Sequence, residues 1–186
     1  MKNNFPITLL ICAVIFLSPS CKKKSVAPLS KLPAATQTGA NTFGCLINGA
    51  AFTPHTKSFL NSAFQANYVY YNGGYNLLVS ASNDSNTDYV KGVFLQTTNL
   101  AVTEGQTLSL ENYNQNGKAF AVYGIFYNLQ PPNQYQTTDK VSGQLHITKF
   151  DQTRQIISGT FFFDAINGKG ETVHITDGRF DMKYTQ

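Results

Sequence analysis

The folded part of this chain has too few cysteines to form a disulfide. The 186-residue sequence contains three cysteines, two methionines and no tryptophan. Cys12 and Cys21 lie in a segment typical of export signals, which leaves Cys45 alone and excludes an internal disulfide. Because Leu46 and Ile47 follow it, we expect Cys45 to be a buried and unreactive thiol.

Short catalytic motifs are also missing. The sequence has no Gly-x-Ser-x-Gly nucleophile elbow, no phosphate-binding loop, no His-Glu-x-x-His motif and no paired-cysteine zinc pattern. These absences exclude the commonest hydrolase and nucleotide-binding signatures. An enzyme with dispersed active-site residues stays open, and Asp164 across a strand from His174 is the nearest candidate pair, although no nucleophile is evident beside it.

An excess of one charge is missing once the N-terminus is set aside. The whole chain carries a formal net charge of +4, but Lys2 and Lys22–Lys24 belong to the N-terminal segment. Residues 25–186 hold ten basic and ten acidic side chains. A neutral domain with scattered charges has no electrostatic footprint for nucleic acid, so we expect no nucleic-acid partner.

The N-terminus is typical of a bacterial export signal. Lys2 precedes an apolar run over residues 5–17, which is shorter than the roughly 20 residues that a membrane-spanning helix requires. Three residues separate this run from Cys21, and three lysines follow Cys21. The pattern predicts a lipoprotein signal peptide over residues 1–20 and lipid attachment at Cys21. Cleavage by an ordinary signal peptidase is the alternative, because Ser18 and Ser20 are small residues at the third and first positions before the cut, and Ser18 stands where a lipobox normally has leucine.

The segment after the signal predicts an anchored and spaced domain. Residues 21–41 are predicted to be the lipidated cysteine and a flexible tether, since they contain Pro, Ser, Thr and Ala without hydrophobic periodicity. Two or more acyl chains anchor a protein stably, and the lysines add attraction to anionic head groups. Lys22 occupies the position where an inner-membrane retention signal has Asp, so we expect an outer-membrane lipoprotein, on either the periplasmic or the surface side.

Residues 42–186 are predicted to form one all-β domain. Short apolar and aromatic runs alternate with turn residues, and no long helical pattern is present. About ten strands in a single antiparallel β-sandwich or a rolled, barrel-like sheet are expected. The C-terminal third predicts a three-stranded meander, with Asp177-Gly178 bending its last strand. In this meander Ser158 is expected on the outer face, together with the apolar Phe162.

Three segments of this domain carry a family resemblance. They are residues 42–49 (Thr-Phe-Gly-Cys-Leu-Ile-Asn-Gly), residues 157–165 (Ile-Ser-Gly-Thr-Phe-Phe-Phe-Asp-Ala) and residues 175–181 (Ile-Thr-Asp-Gly-Arg-Phe-Asp). Together they resemble an uncharacterised all-β domain family of Bacteroidota lipoproteins. The resemblance implies export and an all-β fold, and it implies no activity.

Two groups of polar residues are candidate ion sites. Asp84-Ser85-Asn86-Thr87-Asp88 places oxygen atoms at alternate positions, as calcium loops do, but the glycine and the glutamate of the EF-hand pattern are absent. A plain turn is the alternative, because Asn and Asp cap turns themselves. His146 and His174 lie on alternate strands of the meander, where two imidazoles could approach one metal ion, but no third ligand is evident. No cofactor is expected.

Four tyrosines surround the Asn72-Gly73 turn and form the candidate recognition surface. Tyr68, Tyr70, Tyr71 and Tyr75 could stack on sugar rings or fill a pocket on a protein partner. Tyrosine is also a favoured strand residue, and the lack of tryptophan weakens the case for a sugar platform.

The sequence as a whole favours a binding module. We expect a lipid-anchored β-domain of the cell envelope that acts as a non-enzymatic binding or accessory module, with the membrane as one partner and a protein or glycan as another. A barrel-type carrier of a small apolar ligand is the alternative, recognisable by an internal cavity lined with Phe and Tyr. An envelope hydrolase is the less favoured third possibility.

Overall fold

The computed structural model describes residues 27–186, and these residues form an all-β protein, as predicted. The predicted signal peptide, the lipid-attachment residue Cys21 and residues 22–26 of the predicted tether lie outside the described residues. A short 3-10 helix, Pro28–Lys31, precedes the first strand. The eleven strands are β1 (Thr42–Ile47), β2 (Ala50–Phe52), β3 (Phe64–Tyr71), β4 (Gly74–Asn83), β5 (Tyr89–Thr98), β6 (Thr107–Leu110), β7 (Lys118–Tyr127), β8 (Asn133–Gln136), β9 (Gly143–Asp151), β10 (Ile156–Ile166) and β11 (Thr172–Lys183).

All eleven strands belong to one sheet. Its order is β2-β1-β11-β10-β9-β6-β7-β5-β4-β3, and β8 pairs with β7 and β10 beside this path. Every pairing is antiparallel except that of β6 with β7, which is parallel. Two isolated bridges, His55 with Asn83 and Asn67 with Thr185, join the two edge regions of the sheet. The sheet is therefore rolled upon itself, which is one of the two predicted architectures.

The predicted C-terminal meander is confirmed. Strands β9, β10 and β11 are neighbours in the sheet. The residues expected on its dry face are all buried: Leu145, Ile147, Ile157, Phe161, Phe163, Val173 and Ile175. Phe162 is exposed, as expected. Ser158 was expected on the exposed face and this expectation was wrong, because its side chain is buried and its hydroxyl donates a hydrogen bond to the buried carboxylate of Asp181.

The predicted bend in β11 is also confirmed. Asp177 has a φ of 52°, in the left-handed region, and the pairing of β10 with β11 shifts register between Phe161 and Phe163. A Cβ atom added at Gly178 would lie 2.5 Å from the ring of Phe161. The bend therefore requires a residue without a side chain beside that ring.

Apolar side chains fill the interior of the rolled sheet. Towards β1, the ring of Phe161 lies 5.4 Å from that of Phe43 and 6.4 Å from that of Phe180. A second aromatic cluster joins Tyr68 to Phe150 and Tyr184, with ring centroids 5.0 Å and 6.2 Å from that of Tyr68. Except for Phe150, which is partly buried and packs against the others, these rings belong to one continuous buried core.

The end of the predicted tether packs against the sheet, and this differs from the prediction. We call residues 36–40 the N-terminal strap. Asp181 of β11 is fully buried, and its carboxylate accepts hydrogen bonds from the hydroxyl groups of Thr36 (2.6 Å) and Thr38 (3.1 Å). It also accepts bonds from the amides of Thr38, Gly39 and Ala40, and from the hydroxyl of Ser158 at 2.8 Å. The chain therefore packs with the domain from residue 36, before the predicted start of the domain at residue 42.

These hydrogen bonds stabilise the ionised form of Asp181. Burial acts to raise the pKa of this carboxyl group, because it removes water from the charge. The hydrogen bonds from the strap and from Ser158 outweigh burial and hold the pKa far below its ordinary value of 3.8. The strap is thus attached to the domain by a buried negative charge.

Candidate functional site

The hairpin of β3 and β4 presents three exposed tyrosines, not four. Asn72 and Gly73 form its two-residue turn with φ values of 52° and 87°, as tight hairpins require. Tyr70, Tyr71 and Tyr75 are exposed, but Tyr68 is buried, so its predicted place in a recognition surface was wrong. Tyr68 points into the rolled sheet and stacks under Tyr75 with ring centroids 4.9 Å apart.

Tyr71 lies on the opposite face of β3 and borders a groove of about 470 Å³. We call this the amide groove, because side-chain amides supply half of its lining residues. These are Asn67, Asn72, Asn76, Gln96, Asn99 and Asn114. The other lining residues include Val69, Tyr71 and Leu78, and no lining residue carries a charge. The groove therefore combines hydrogen-bonding groups and apolar surface in a neutral setting.

Strand register places the central amides. Asn67 of β3 pairs with Leu78 of β4, which pairs with Gln96 of β5, so the three residues form one row across the sheet. Neighbouring strands lie about 4.8 Å apart, which separates Asn67 and Gln96 by about 10 Å with Leu78 between them. The alternation along β3 brings Val69 and Tyr71 to the same face as Asn67. The side chain of Leu78 is thus flanked by the amides of Asn67 and Gln96, and Val69 and Tyr71 extend the apolar surface on the same face.

The rim of the groove is held by other amides. The Nδ2 group of Asn76 donates to the carbonyls of Tyr71 (3.1 Å) and Gly74 (3.0 Å), and its Oδ1 atom accepts from the amide of Asn99 (2.9 Å). Asn99 in turn donates to Asn116 at 2.6 Å. A Cβ atom on Gly74 would lie 2.8 Å from Cα of Asn99, so this close approach requires glycine.

Other amides in the groove keep their hydrogen-bonding capacity. Within residues 27–186, the side chains of Asn67, Asn72 and Gln96 make no hydrogen bond. Each amide offers two donor hydrogens and an acceptor oxygen. The groove therefore contains a fixed rim and unpaired amides that can bind a ligand.

Side-chain oxygens of the predicted calcium loop accept hydrogen bonds from backbone amides, one in a neighbouring loop and one in the loop itself. The Asp84 carboxylate accepts hydrogen bonds from the amide of Lys57 (2.9 Å and 3.1 Å) and lies 3.0 Å from the His55 ring. These bonds lower the pKa of Asp84, the largest effect coming from the Lys57 amide. The side-chain oxygen of Asn86 accepts from the amide of Asp88. The oxygens of this loop serve as turn caps, which is the alternative given above.

The predicted histidine pair is too far apart to share an ion. His146 lies in register with Thr160 of β10, and His174 with Asp164 of the same strand. Four residues along a strand add about 13 Å to the lateral separation of β9 and β11. No group of three or more His, Cys, Asp or Glu side chains suited to a metal occurs within the described part of the chain.

The predicted proximity of Asp164 and His174 is confirmed. Nδ1 of His174 lies 2.8 Å from Oδ1 of Asp164, and both side chains are exposed on the outer face of the sheet. His146 makes a separate contact, 2.9 Å from the hydroxyl of Thr107. Neither His174 nor Asp164 lines the amide groove.

Cys45 is buried in the core, as predicted. Burial without a compensating hydrogen bond raises the pKa of its thiol to about 12. At neutral pH the thiol is therefore protonated and unreactive.

Comparison of the chain with family models, with curated proteins and with solved structures found no match. The resemblance to a Bacteroidota lipoprotein domain family therefore stays a prediction. Among residues 27–186, no helix has the length and apolar character needed to cross a membrane.

Proposed function

We propose that this protein is a lipid-anchored binding module of the bacterial cell envelope, and that its amide groove holds a neutral ligand of the saccharide class. The amide groove is the observation that carries the binding part. The anchor part is supported by the sequence pattern of residues 1–24, with Cys21 as the acylated residue.

The chemistry of the amide groove matches a sugar better than other small ligands. Sugar hydroxyl groups both donate and accept hydrogen bonds, as the amides of Asn67 and Gln96 do. The face of an aromatic ring such as Tyr71, which is 73% exposed, offers an apolar platform for the C–H face of a sugar. A phosphate or a carboxylate would instead require Arg, Lys or a helix N-terminus, and the lining has none of these.

The packed interior favours this function over the carrier alternative. A carrier of an apolar ligand would need an enclosed cavity lined by Phe and Tyr. The Phe and Tyr side chains inside the sheet contact one another within one buried core, and the amide groove lies on the outer face. The hydrolase alternative would rest on His174 and Asp164, which lie outside the groove.

A glycan-binding measurement tests the groove. The unacylated protein, Cys21→Ser, is applied to an array of neutral and acidic oligosaccharides, and affinities for the bound sugars are then measured by calorimetry. Tyr71→Ala is expected to weaken binding about tenfold through the loss of ring stacking. Tyr127→Ala is the matched control, since Tyr127 is also an exposed strand tyrosine but lies outside the groove. Failure to bind any neutral sugar, or equal affinities for both variants, would exclude the groove as a sugar site.

Palmitate labelling tests the anchor separately. Radioactive palmitate should enter the wild-type protein and be absent from Cys21→Ala. Equal incorporation in both proteins would end the lipoprotein proposal.

A further inference from the structure

We propose that the loop of residues 56–62 contacts the lipid surface, with Phe59 and Leu60 inserted between head groups. This inference rests on the proposed lipid anchor and adds an orientation to it. The loop joins the region after β2 to the start of β3. Phe59 is fully exposed and Leu60 is 96% exposed, so two adjacent large apolar side chains stand at its tip. Isolated exposed apolar residues are ordinary, but an adjacent pair at a tip marks a contact surface.

Hydrogen bonds hold this tip in one conformation. The hydroxyl of Ser58 accepts hydrogen bonds from the amides of Leu60 (3.2 Å) and Asn61 (3.3 Å). At the base of the loop, the two carboxylate oxygens of Asp84 share the amide hydrogen of Lys57 in one bifurcated hydrogen bond. At the other end, the hydroxyl of Ser62 donates to the carbonyl of Phe64. The apolar pair is thus displayed by a capped turn, and its insertion needs no rearrangement of the backbone.

The loop lies beside the point where the chain leads to the anchor. Lys31 and Leu32, at the end of the 3-10 helix, line a surface cavity of about 340 Å³ together with Pro54 and Phe64, which flank the loop. Six residues separate Cys21 from Ala27, and a fully extended chain of that length reaches about 20 Å. Acylation of Cys21 would therefore hold Ala27, which directly precedes the 3-10 helix beside the loop, within about 20 Å of the lipid.

The charges near the loop suit anionic head groups. Residues 54–63 include Lys57 and no acidic residue, and Lys31 adds a second positive charge on the neighbouring helix. The Asp84 carboxylate, which accepts from the Lys57 amide and lies 3.0 Å from the His55 ring, offsets part of this charge, so Lys31 and the lysines at positions 22–24 supply most of the attraction. Basic side chains beside exposed apolar ones are the usual composition of an interfacial contact.

This orientation directs the amide groove away from the membrane. The loop precedes β3 at Phe64, and the Asn72 turn follows β3 at Tyr71. Seven steps along the strand separate these ends by about 23 Å. A domain that rests on Phe59 and Leu60 therefore presents its groove on the distal side.

A fluorescent probe at position 60 tests the contact. Leu60→Cys is labelled with an environment-sensitive nitrobenzoxadiazole dye, and Tyr113→Cys is the control, because Tyr113 is 51% exposed and adjoins Asn114 at the groove end of the domain. The buried thiol of Cys45 does not compete for the dye. The acylated proteins are placed in vesicles of phosphatidylethanolamine and phosphatidylglycerol. Position 60 should shift to shorter emission wavelength and be quenched by spin-labelled lipid, whereas position 113 should remain as in buffer.

A second arm separates this inference from the anchor. Cys21→Ser carrying a hexahistidine tag before residue 22 is tethered to vesicles with a nickel-chelating lipid, so that no acylation is required. The same blue shift at position 60 supports the loop contact even if palmitate labelling fails. Water-like emission at position 60 on both kinds of vesicle overturns the loop contact and leaves the anchor intact. Replacing both Phe59 and Leu60 by Ser should lower vesicle binding of the untethered, unacylated chain by about tenfold or more.

Discussion

Asp181→Asn is the most informative single substitution, because one buried carboxylate joins the N-terminal strap to strands β10 and β11. Asparagine keeps one acceptor oxygen, loses the charge and introduces an NH₂ group among donors. If this group replaces Oδ1, it faces the amide of Gly39, 2.7 Å away, and the hydroxyl of Ser158. Serine can rotate to accept a bond, whereas the Gly39 amide cannot, so one buried donor loses its partner.

The expected destabilisation is about 3–5 kcal/mol. An orphaned buried donor costs about 1–3 kcal/mol, and removal of the charge weakens each remaining hydrogen bond to Asp181. Urea unfolding followed by circular dichroism should show a midpoint lower by about 2 M, for a slope near 2 kcal/mol/M. Hydrogen exchange gives an independent measure, since the amides of Thr38, Gly39 and Ala40 should lose protection in the variant.

The contribution of Asp181 to the stability of the folded protein should depend on pH, and Asp181→Asn should remove this dependence. The pKa of Asp181 is lower in the folded protein than its ordinary value of 3.8, so the unfolded chain binds a proton first as the pH falls. The stabilisation from Asp181 is therefore complete above about pH 5 and declines below pH 4. Asp139→Asn, at an exposed carboxylate, is the control and should change neither the urea midpoint nor the hydrogen-exchange protection of the strap amides. Equal stabilities of the Asp181 and Asp139 variants at pH 7 would refute the attachment of the strap.

The remaining predictions concern the core. Gly143→Ala should lower the melting temperature strongly, because the new Cβ atom would lie 2.1 Å from the carbonyl oxygen of Phe162. Gly168→Ala is the control and should change the melting temperature little, because open space surrounds that position. Cys45 should resist thiol reagents at pH 8 in the native protein and react fully in urea, since burial raises the pKa of its thiol to about 12. Rapid modification of native Cys45 would contradict its burial.

Local patterns in the sequence predicted most of the strands. Alternation of apolar and polar residues located the three strands of the meander, and Asn72-Gly73 located the first long hairpin, because both signals act over a few residues. Strand β8 was missed, since Pro131-Pro132 directly precedes it and its residues Asn133–Gln136 lack alternation. The parallel pairing of β6 with β7 depends on distant parts of the chain and has no local signal.

The candidate site was predicted in part. Tyr71 was located by the turn, but Asn67 and Gln96 enter the groove through the register of three strands, which the sequence does not specify. Composition predicted a flexible segment at residues 36–40, since threonine, glycine and alanine show no periodicity. Only the position of Asp181 on the folded sheet reveals that the hydroxyl and amide groups of this segment have a common acceptor.

The bridge between Asn67 and Thr185 has a consequence for the order of folding. It covers part of the edge of β3, and Tyr184 beside it completes the aromatic cluster. Asn67 and Thr185 lie 118 positions apart in the sequence, so we expect this contact to form after the local hairpins. Until it forms, β3 keeps an unpaired strand edge, which is a site where a second chain can pair.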